Sequence, residues 1–122
     1  MMTTRRMTVS QALVEFLGNQ WTVDRDGSGE NGIGREIRER TIPGMFGIFG
    51  HGNVAGIGQA LKQANVDDPE LMPYFQARNE QAMVHQSVGY ARMHRRRGTY
   101  ASAASVGPGA TNMLTGAALA TT

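Results

Sequence analysis

Two short segments carry the residue types best suited to ligand chemistry. The first, Arg78-Asn79-Glu80-Gln81, places one carboxylate where a helix is predicted to begin. The second, Val106-Gly107-Pro108-Gly109-Ala110-Thr111-Asn112, is a glycine-rich turn that opens the next predicted helix. Both follow predicted strands, and open α/β sheets bind their ligands at the carboxyl ends of strands. Glu80 is therefore a candidate functional residue, although the helix dipole alone also favours an acid in the first turn.

A third turn, Gly50-His51-Gly52-Asn53, carries a histidine and an amide at the end of another predicted strand. Histidine changes its charge near neutral pH, and side chains at this edge of a parallel sheet face a cleft. His51 is therefore a second candidate for a functional role. The other histidines, His85 and His94, lie in a predicted helix without metal-ligand spacing, so the sequence predicts no metal site.

Three further patterns have simpler explanations than ligand binding. Segment 24–29 matches the first half of an EF-hand calcium loop, but the twelfth position holds Arg35 instead of glutamate. The glycines of segment 50–58 miss the G-x-G-x-x-G spacing, and no acidic residue ends the next strand to bind a ribose. The arginines of segment 92–97 end a predicted helix, where cations stabilise the dipole without any ligand. Calcium, nicotinamide nucleotides and nucleic acid are therefore not predicted partners.

The composition predicts one soluble globular domain. The chain has 122 residues, of which 40% are hydrophobic and 18% charged, and its formal net charge of +2 gives no general reason to expect nucleic acid. It has no cysteine, so neither disulfides nor thiolate metal sites are available. No apolar run approaches the roughly 20 residues that span a bilayer, and residues 1–7 lack the apolar stretch of a signal peptide. We expect a cytoplasmic protein that does not bind a membrane.

Hydrophobic periodicity predicts strands that alternate with helices. A helix capped by Thr8 or Ser10 comes first, and a later helix is expected to bury Val54, Ile57, Leu61 and Ala64 on one face. The predicted strands are 45–49, 71–77 and 99–106, and the predicted helices are 8–19, one after the turn 50–53, 79–94 and 112–120.

The alternation predicts an α/β fold with a doubly wound, mostly parallel sheet. Residues 1–7 form an N-terminal tail in this scheme, and residues 8–122 form the domain. The charged, glycine-rich segment 24–44 is predicted to be an irregular surface excursion with a short helix at 35–40. Complete doubly wound domains have five or six strands and only three are predicted here, so we expect a domain that is truncated at its C-terminus.

Three segments, in this order, resemble the pyrimidine-binding domain of thiamine-diphosphate-dependent enzymes, a flavodoxin-like fold. They are Arg78-Asn79-Glu80-Gln81, Gly89-Tyr90-Ala91-Arg92 and Gly107-Pro108-Gly109-Ala110-Thr111-Asn112. The general family pattern has histidine in place of Asn79 and serine in place of Val106. These departures, together with segments 46–54 and 56–61, are similar to one branch of the family, whose members hydrolyse a carbon–carbon bond of a cyclic 1,2-dione in myo-inositol degradation.

The resemblance implies specific roles for the residues of the two helix-opening segments. A glutamate at the position of Glu80 hydrogen-bonds N1′ of the aminopyrimidine ring of thiamine diphosphate. That bond favours the tautomer whose 4′-nitrogen takes the C2 proton of the thiazolium ring, so Glu80 is the expected catalytic and cofactor-binding residue. For this role the carboxyl is expected to lie in a dry site with a raised pKa. Gly107, Pro108, Gly109 and Asn112 are expected to pack near the cofactor.

The resemblance also implies a substrate side and a missing partner domain. His51 is a candidate catalytic residue, and His51 and Asn53 together are the candidates for contacting the cyclic dione. The diphosphate and Mg²⁺ of such enzymes are bound by a separate C-terminal domain through a Gly-Asp-Gly…Asn motif, which this sequence lacks. The cofactor lies between two subunits, so we expect a homodimer or higher homo-oligomer and a fragment that is inactive alone.

Two other interpretations remain open from the sequence. One is a different thiamine-diphosphate enzyme, of the acetohydroxyacid synthase or 2-keto acid decarboxylase type, against which the turn His51-Gly52-Asn53 argues. The other is a stand-alone module that binds phosphate or nucleotides. The position of Glu80 tests the enzyme interpretations. They require Glu80 at the carboxyl edge of the sheet, near the turn 50–53, whereas a Glu80 directed to bulk solvent would contradict its cofactor role.

Overall fold

The computed structural model describes residues 4–27 and 34–121. Helix α1 begins as predicted after Thr8, whose hydroxyl accepts from the Gln11 backbone while the Gln11 side chain accepts from the Thr8 backbone. This reciprocal capping box satisfies two of the backbone donors that every helix start leaves free. The elements are α1 Val9–Gly18, β1 Trp21–Arg25, β2 Glu36–Arg40, β3 Met45–Gly47, α2 Gln59–Asp67, β4 Tyr74–Gln76, α3 Glu80–Met93, β5 Ala101–Ala103 and α4 Pro108–Ala120.

The prediction of a short helix at 35–40, within segment 24–44, is wrong. Strands β1 and β2 pair in an antiparallel ladder that aligns Trp21 with Arg40, and β2 replaces the predicted short helix. The sequence Glu-Ile-Arg-Glu-Arg has good helix formers, but pairing with β1 outweighs that local preference. The guanidinium groups of Arg38 and Arg40 stack over the Trp21 ring at 4.5 and 4.7 Å. The part of the predicted excursion at residues 28–33 lies outside the described residues.

Ion pairs attach this hairpin to the end of α3. Arg97 donates to Asp24 at 3.0 Å and lies 2.9 Å from Glu39, and His94 lies 2.8 Å from the other oxygen of Glu39. A hydrogen bond from the Arg25 backbone, followed by the Arg97 side chain, lowers the pKa of Asp24 below its ordinary value. Arg97, beyond the end of α3, therefore binds protein carboxylates as well as favouring the dipole.

Strands β3, β4 and β5 form a parallel sheet in the order β4-β3-β5. Met45 is level with Tyr74 on one side and with Ala101 on the other. The prediction of three parallel strands is confirmed, although each strand is shorter than expected. Single backbone bonds extend the ladder beyond the strand ends, from Ala77 to Gly47 at 2.8 Å and from Ile48 to Ala103 at 3.2 Å.

Helices lie on both faces of this sheet. On one face α1 and α2 enclose the main core of buried apolar side chains, which consists of Val14, Met45, Ala60, Leu61 and Met72. Successive residues of a strand point to opposite faces, so Ala101 and Ala103 pack against this core and Ser102 faces α3. There Ser102 lies 3.3 Å from the hydroxyl of Ser87, and Tyr90 packs edge-on against Tyr100.

A π-helical segment, Asn53–Gly58, precedes α2 and changes which side chains are buried. The predicted apolar face is correct for Leu61, which is buried, and for Ile57 and Ala64, which pack against the core. Val54 is 61% exposed, in contrast to the prediction. The wider turn of a π-helix rotates Val54 away from the direction that α-helical spacing assumes.

Neither a membrane-spanning helix nor a metal-binding cluster of side chains occurs within residues 4–27 and 34–121. None of the helices in these ranges is long and apolar enough to cross a membrane. The same ranges contain no group of three or more histidine, cysteine, aspartate or glutamate side chains that could bind a metal ion.

Candidate active site

The N-termini of α3 and α4 bring together the two segments that the sequence singled out. Asn79 caps α3 by accepting a hydrogen bond from the Ala82 backbone at 3.2 Å, which makes Glu80 the first helical residue. Helix α4 begins directly after the glycine turn, with Pro108 in its first turn. Because α3 follows β4 and α4 follows β5, both helices begin at the carboxyl edge of the parallel sheet. The prediction that Glu80 lies at this edge is confirmed.

A chain of three side chains fixes the Glu80 carboxylate. The Asn112 side-chain nitrogen donates to Oε2 of Glu80 at 2.9 Å. The Gln81 side-chain nitrogen in turn donates to Oδ1 of Asn112 at 2.9 Å. Both bonds join α3 to α4 across 32 and 31 residues of sequence. The sequence analysis proposed Asn112 as a neighbour of the site, whereas Gln81 belonged to the same motif as Glu80 without an assigned role.

The glycine turn brings backbone close to the carboxylate. Gly107 has φ +64° and ψ −120°, a conformation that side chains with a Cβ avoid. A Cβ at Gly109 would lie 3.1 Å from Oε1 of Glu80 and 3.6 Å from the Cβ of Ser105. The two glycines therefore allow a backbone path that a larger residue would obstruct.

An open cleft of about 880 Å³ lies above Glu80. All the residues proposed from sequence to bind the cofactor line it. Thr111 belongs to the glycine-rich segment but had no role of its own, and Thr115 lies outside that segment. These two threonines are four residues apart and so share one face of α4, a spacing that could have indicated them. The cleft is lined by Glu80, Gly107, Pro108, Gly109, Thr111, Asn112 and Thr115.

The expectation of a dry site with a raised pKa is wrong for the described domain. The hydrogen bond from Asn112 lowers the pKa of Glu80, and a bond from its own backbone N–H acts in the same direction. Partial burial raises the pKa, but it is the smallest of the three contributions. Donors stabilise the ionised carboxylate more than limited desolvation disfavours it, because the cleft is open to water on one side.

The turn 50–53 lies beside the glycine turn that precedes α4. A Cβ at Gly50 would lie 2.7 Å from the Ser105 hydroxyl, and Ser105 also adjoins Gly109. Ser105, which the sequence analysis did not select, therefore separates the two turns. The two strand-end turns are neighbours, as expected for parallel strands β3 and β5.

The structure does not bring His51 and Asn53 into the cleft of Glu80. His51 is exposed to solvent. Asn53 turns inward, donates to the backbone oxygen of Ile48 at 2.8 Å, and lines a separate cavity of about 330 Å³. That cavity lies between the sheet and α2, and its other polar lining residues are Gln59, Lys62, Tyr74 and Gln76.

Comparison with known proteins decides the family. The model of the thiamine pyrophosphate enzyme N-terminal TPP binding domain matches residues 29–122. The chain belongs to this family. No solved structure matches the chain significantly.

Several curated relatives of this TPP-binding domain are named 3D-(3,5/4)-trihydroxycyclohexane-1,2-dione hydrolase. The protein of that name from Geobacillus thermodenitrificans is 45% identical over 120 residues, 98% of this chain and 17% of the relative. Those from Clostridium perfringens and Listeria monocytogenes are 46% and 40% identical, over 95% and 96% of this chain and 16% of each relative. The chain therefore spans about a sixth of the length of the curated relatives it matches.

The groups of the cleft fit the pyrimidine part of thiamine diphosphate. An ionised carboxylate accepts several hydrogen bonds, and among the described side chains only Asn112 donates to Glu80, so acceptor positions remain for ring N–H groups. The absence of a Cβ at Gly109 keeps the cleft open beside Oε1, which a Cβ there would approach to 3.1 Å. The TPP-binding domain thus offers one acidic acceptor at the back of an otherwise uncharged cleft.

Proposed function

We propose that this domain supplies the pyrimidine-binding half of the active site in a thiamine-diphosphate-dependent hydrolase of myo-inositol degradation, a pathway of carbohydrate breakdown. Its substrate would be 3D-(3,5/4)-trihydroxycyclohexane-1,2-dione, whose ring is opened at a carbon–carbon bond to give 5-deoxy-glucuronate. The observation that carries the proposal is Glu80, held by Asn112 at the head of a glycine-lined cleft. The names of the relatives, which share 40% to 46% identity with this chain, support the choice of substrate.

The proposed domain is a flavodoxin-like, doubly wound domain over residues 8–122. Helices on both faces of the three-stranded parallel sheet support this arrangement. In the longer enzyme, further strands would continue the sheet from the free edge of β5. We propose residues 1–7 as a tail outside the domain.

Glu80 would bind the pyrimidine ring and exchange a proton with it. Bound thiamine diphosphate supplies a thiazolium carbon that acts as nucleophile and electron sink. The Glu80 carboxylate would accept a hydrogen bond from a ring nitrogen and hold the proton that shifts the ring between its tautomers. Asn112 would keep the carboxylate directed at that nitrogen, and the absence of a Cβ at Gly107 and Gly109 would allow the ring to approach. Ring binding would also exclude water from the cleft, which raises the pKa of Glu80 towards the value that proton transfer requires.

His51 and Asn53 remain candidates for the substrate side of the site. The Asn53 amide is already bonded to Ile48, so its proposed role is to shape the turn that presents His51. The exposed imidazole of His51 would then orient the dione or move a proton once a second domain covers the turn.

Further partners of the proposed enzyme lie outside this chain. Mg²⁺ and the cofactor diphosphate would be bound by a C-terminal domain, and the active site would form between subunits of a homodimer or larger homo-oligomer. We propose a cytoplasmic enzyme without nucleic-acid or membrane partners. The isolated domain would not turn over substrate, because it holds only the pyrimidine half of the site.

The substrate assignment is tested with the full-length protein, thiamine diphosphate and Mg²⁺. We expect the enzyme to consume the cyclic dione and to form an open-chain acid. The reaction is run in H₂¹⁸O, and mass spectrometry detects the ¹⁸O that hydrolysis introduces into the product. Pyruvate serves as the comparison substrate. Turnover of pyruvate with no reaction of the dione would instead indicate an acetohydroxyacid synthase or decarboxylase.

Replacement of Gly109 by alanine is expected to change the geometry of the Glu80 carboxylate without lowering the stability of the domain. The new methyl group would lie 3.1 Å from Oε1 of Glu80 and displace the carboxylate, which is the movable end of a flexible side chain. We expect C2 deuterium exchange of bound thiamine diphosphate to slow about tenfold, because small displacements of catalytic groups are costly. The thermal midpoint should hardly change. Gly89→Ala is the control, since a Cβ there meets nothing within 4 Å.

A further inference from the structure

The orientation of the Asn112 amide follows from the chemistry of its two neighbours. An ionised carboxylate only accepts hydrogen bonds, so the nitrogen of Asn112 must face Glu80 and its oxygen must face away. That oxygen meets the Gln81 nitrogen at 2.9 Å. Gln81 is the one described side chain that donates to it.

We propose that Gln81 is a positioning residue for Glu80: by donating to Oδ1 of Asn112, it holds the Asn112 NH₂ group towards the carboxylate. This inference deepens the proposed function and rests on it for its catalytic meaning. The described side-chain hydrogen bond of Gln81 goes to Asn112 and not to the Glu80 carboxylate. It acts on Glu80 through Asn112.

Loss of the Gln81 donor has a definite electrostatic consequence. Without it, the bond to Glu80 alone orients the Asn112 amide, and the half-turn about its last bond that directs Oδ1 at the carboxyl becomes less costly. Two acceptors then face each other, which disfavours the ionised form of Glu80 and raises its pKa. In the unmodified protein the hydrogen bond from Asn112 is the largest cause that lowers the pKa of Glu80, which agrees with this expectation.

No neighbouring charge competes with this effect in the described ranges. The groups that act on the Glu80 carboxyl are the Asn112 amide, its own backbone N–H and partial burial. No ion pair of Glu80 occurs within residues 4–27 and 34–121. The residues of α4 that line the cleft with it carry no charge.

The test is a double-mutant cycle on the full-length protein without added cofactor. Glutamate labelled with ¹³C at the carboxyl carbon is titrated by NMR, and subtraction of the Glu80→Gln spectrum identifies the Glu80 signal. Gln81→Met keeps the length of the side chain and removes the donor, and we expect it to raise the pKa of Glu80. In the Asn112→Leu background, the same change should add nothing, because the group through which Gln81 acts is gone.

Gln86→Met is the matched control, since it makes the same chemical change at an exposed glutamine of α3. It should leave the titration of Glu80 unchanged. Gln81→Glu is a second, nearly isosteric variant that accepts only. It should take the Asn112 NH₂ group away from Glu80, and it should raise the pKa of Glu80 by more when Asn112 is present than in the Asn112→Leu background.

Two results would overturn the proposal. One is an unchanged Glu80 titration in both Gln81 variants. The other is an equal shift with and without Asn112, which would show that Gln81 acts by another route. The titration uses no cofactor and no substrate, so its result is independent of the dione assay. A negative titration contradicts the role of Gln81 alone, and a negative dione assay contradicts the proposed substrate alone.

Discussion

Replacement of Glu80 by glutamine is expected to slow C2 deuterium exchange of bound thiamine diphosphate by at least about 100-fold, the scale of general acid–base catalysis. Glutamine keeps the size of the side chain and a group that bonds Asn112, but it carries no charge and cannot take up the proton. The exchange rate is measured by NMR after acid quench, in the full-length protein at saturating cofactor, so that weaker binding does not contribute.

The control for this change is Glu70→Gln, at an exposed glutamate in the loop after α2. It removes the same charge at a residue that does not line the cleft, and exchange should stay at the rate of the unmodified protein. Normal exchange in Glu80→Gln would contradict the assigned role of this carboxylate, even if the dione assay succeeded.

Replacement of Gly116 by valine is expected to have the largest effect on stability. Gly116 is buried where α3 and α4 cross, and even a Cβ there would lie 2.7 Å from the Cβ of Val84. The helices must separate to admit a side chain, and overpacking of this kind costs about 3 kcal/mol. Thermal unfolding followed by circular dichroism should show a lower midpoint. Gly89→Val, at an open position of α3, should change stability by less than about 0.5 kcal/mol.

Gly116→Val should also disturb the candidate active site, because the contact between Val84 and Gly116 lies one helical turn from the hydrogen bond between Asn112 and Glu80. Val84 follows Glu80 by four residues on α3, and Gly116 follows Asn112 by four residues on α4. The close approach of Val84 and Gly116 therefore sets the distance between Glu80 and Asn112. We expect slower C2 exchange at temperatures where the variant is still folded. Unchanged exchange in a destabilised protein would show that the carboxylate is held independently of this crossing.

The amino-acid sequence by itself determined the order of the strands and helices from β3 to α4 and the position of Glu80. Asn79 caps α3, Pro108 and its flanking glycines open α4, and strands of small or apolar residues precede both helices. These signals are local, since caps, turns and periodicity act within a few residues. They were sufficient to predict that Glu80 and the glycine turn meet at one edge of a parallel sheet.

Contacts between distant segments decided the rest. The hairpin of β1 and β2 depends on its pairing and on the attachment of Asp24 and Glu39 to Arg97, which outweigh the helix preference of residues 36–40. The lowered pKa of Glu80 depends on an amide 32 residues away, whose orientation depends on Gln81. Hydrogen-bond polarity and helix separation are properties of pairs brought together by folding. For that reason the sequence located the carboxylate, whereas only the tertiary structure determined its environment.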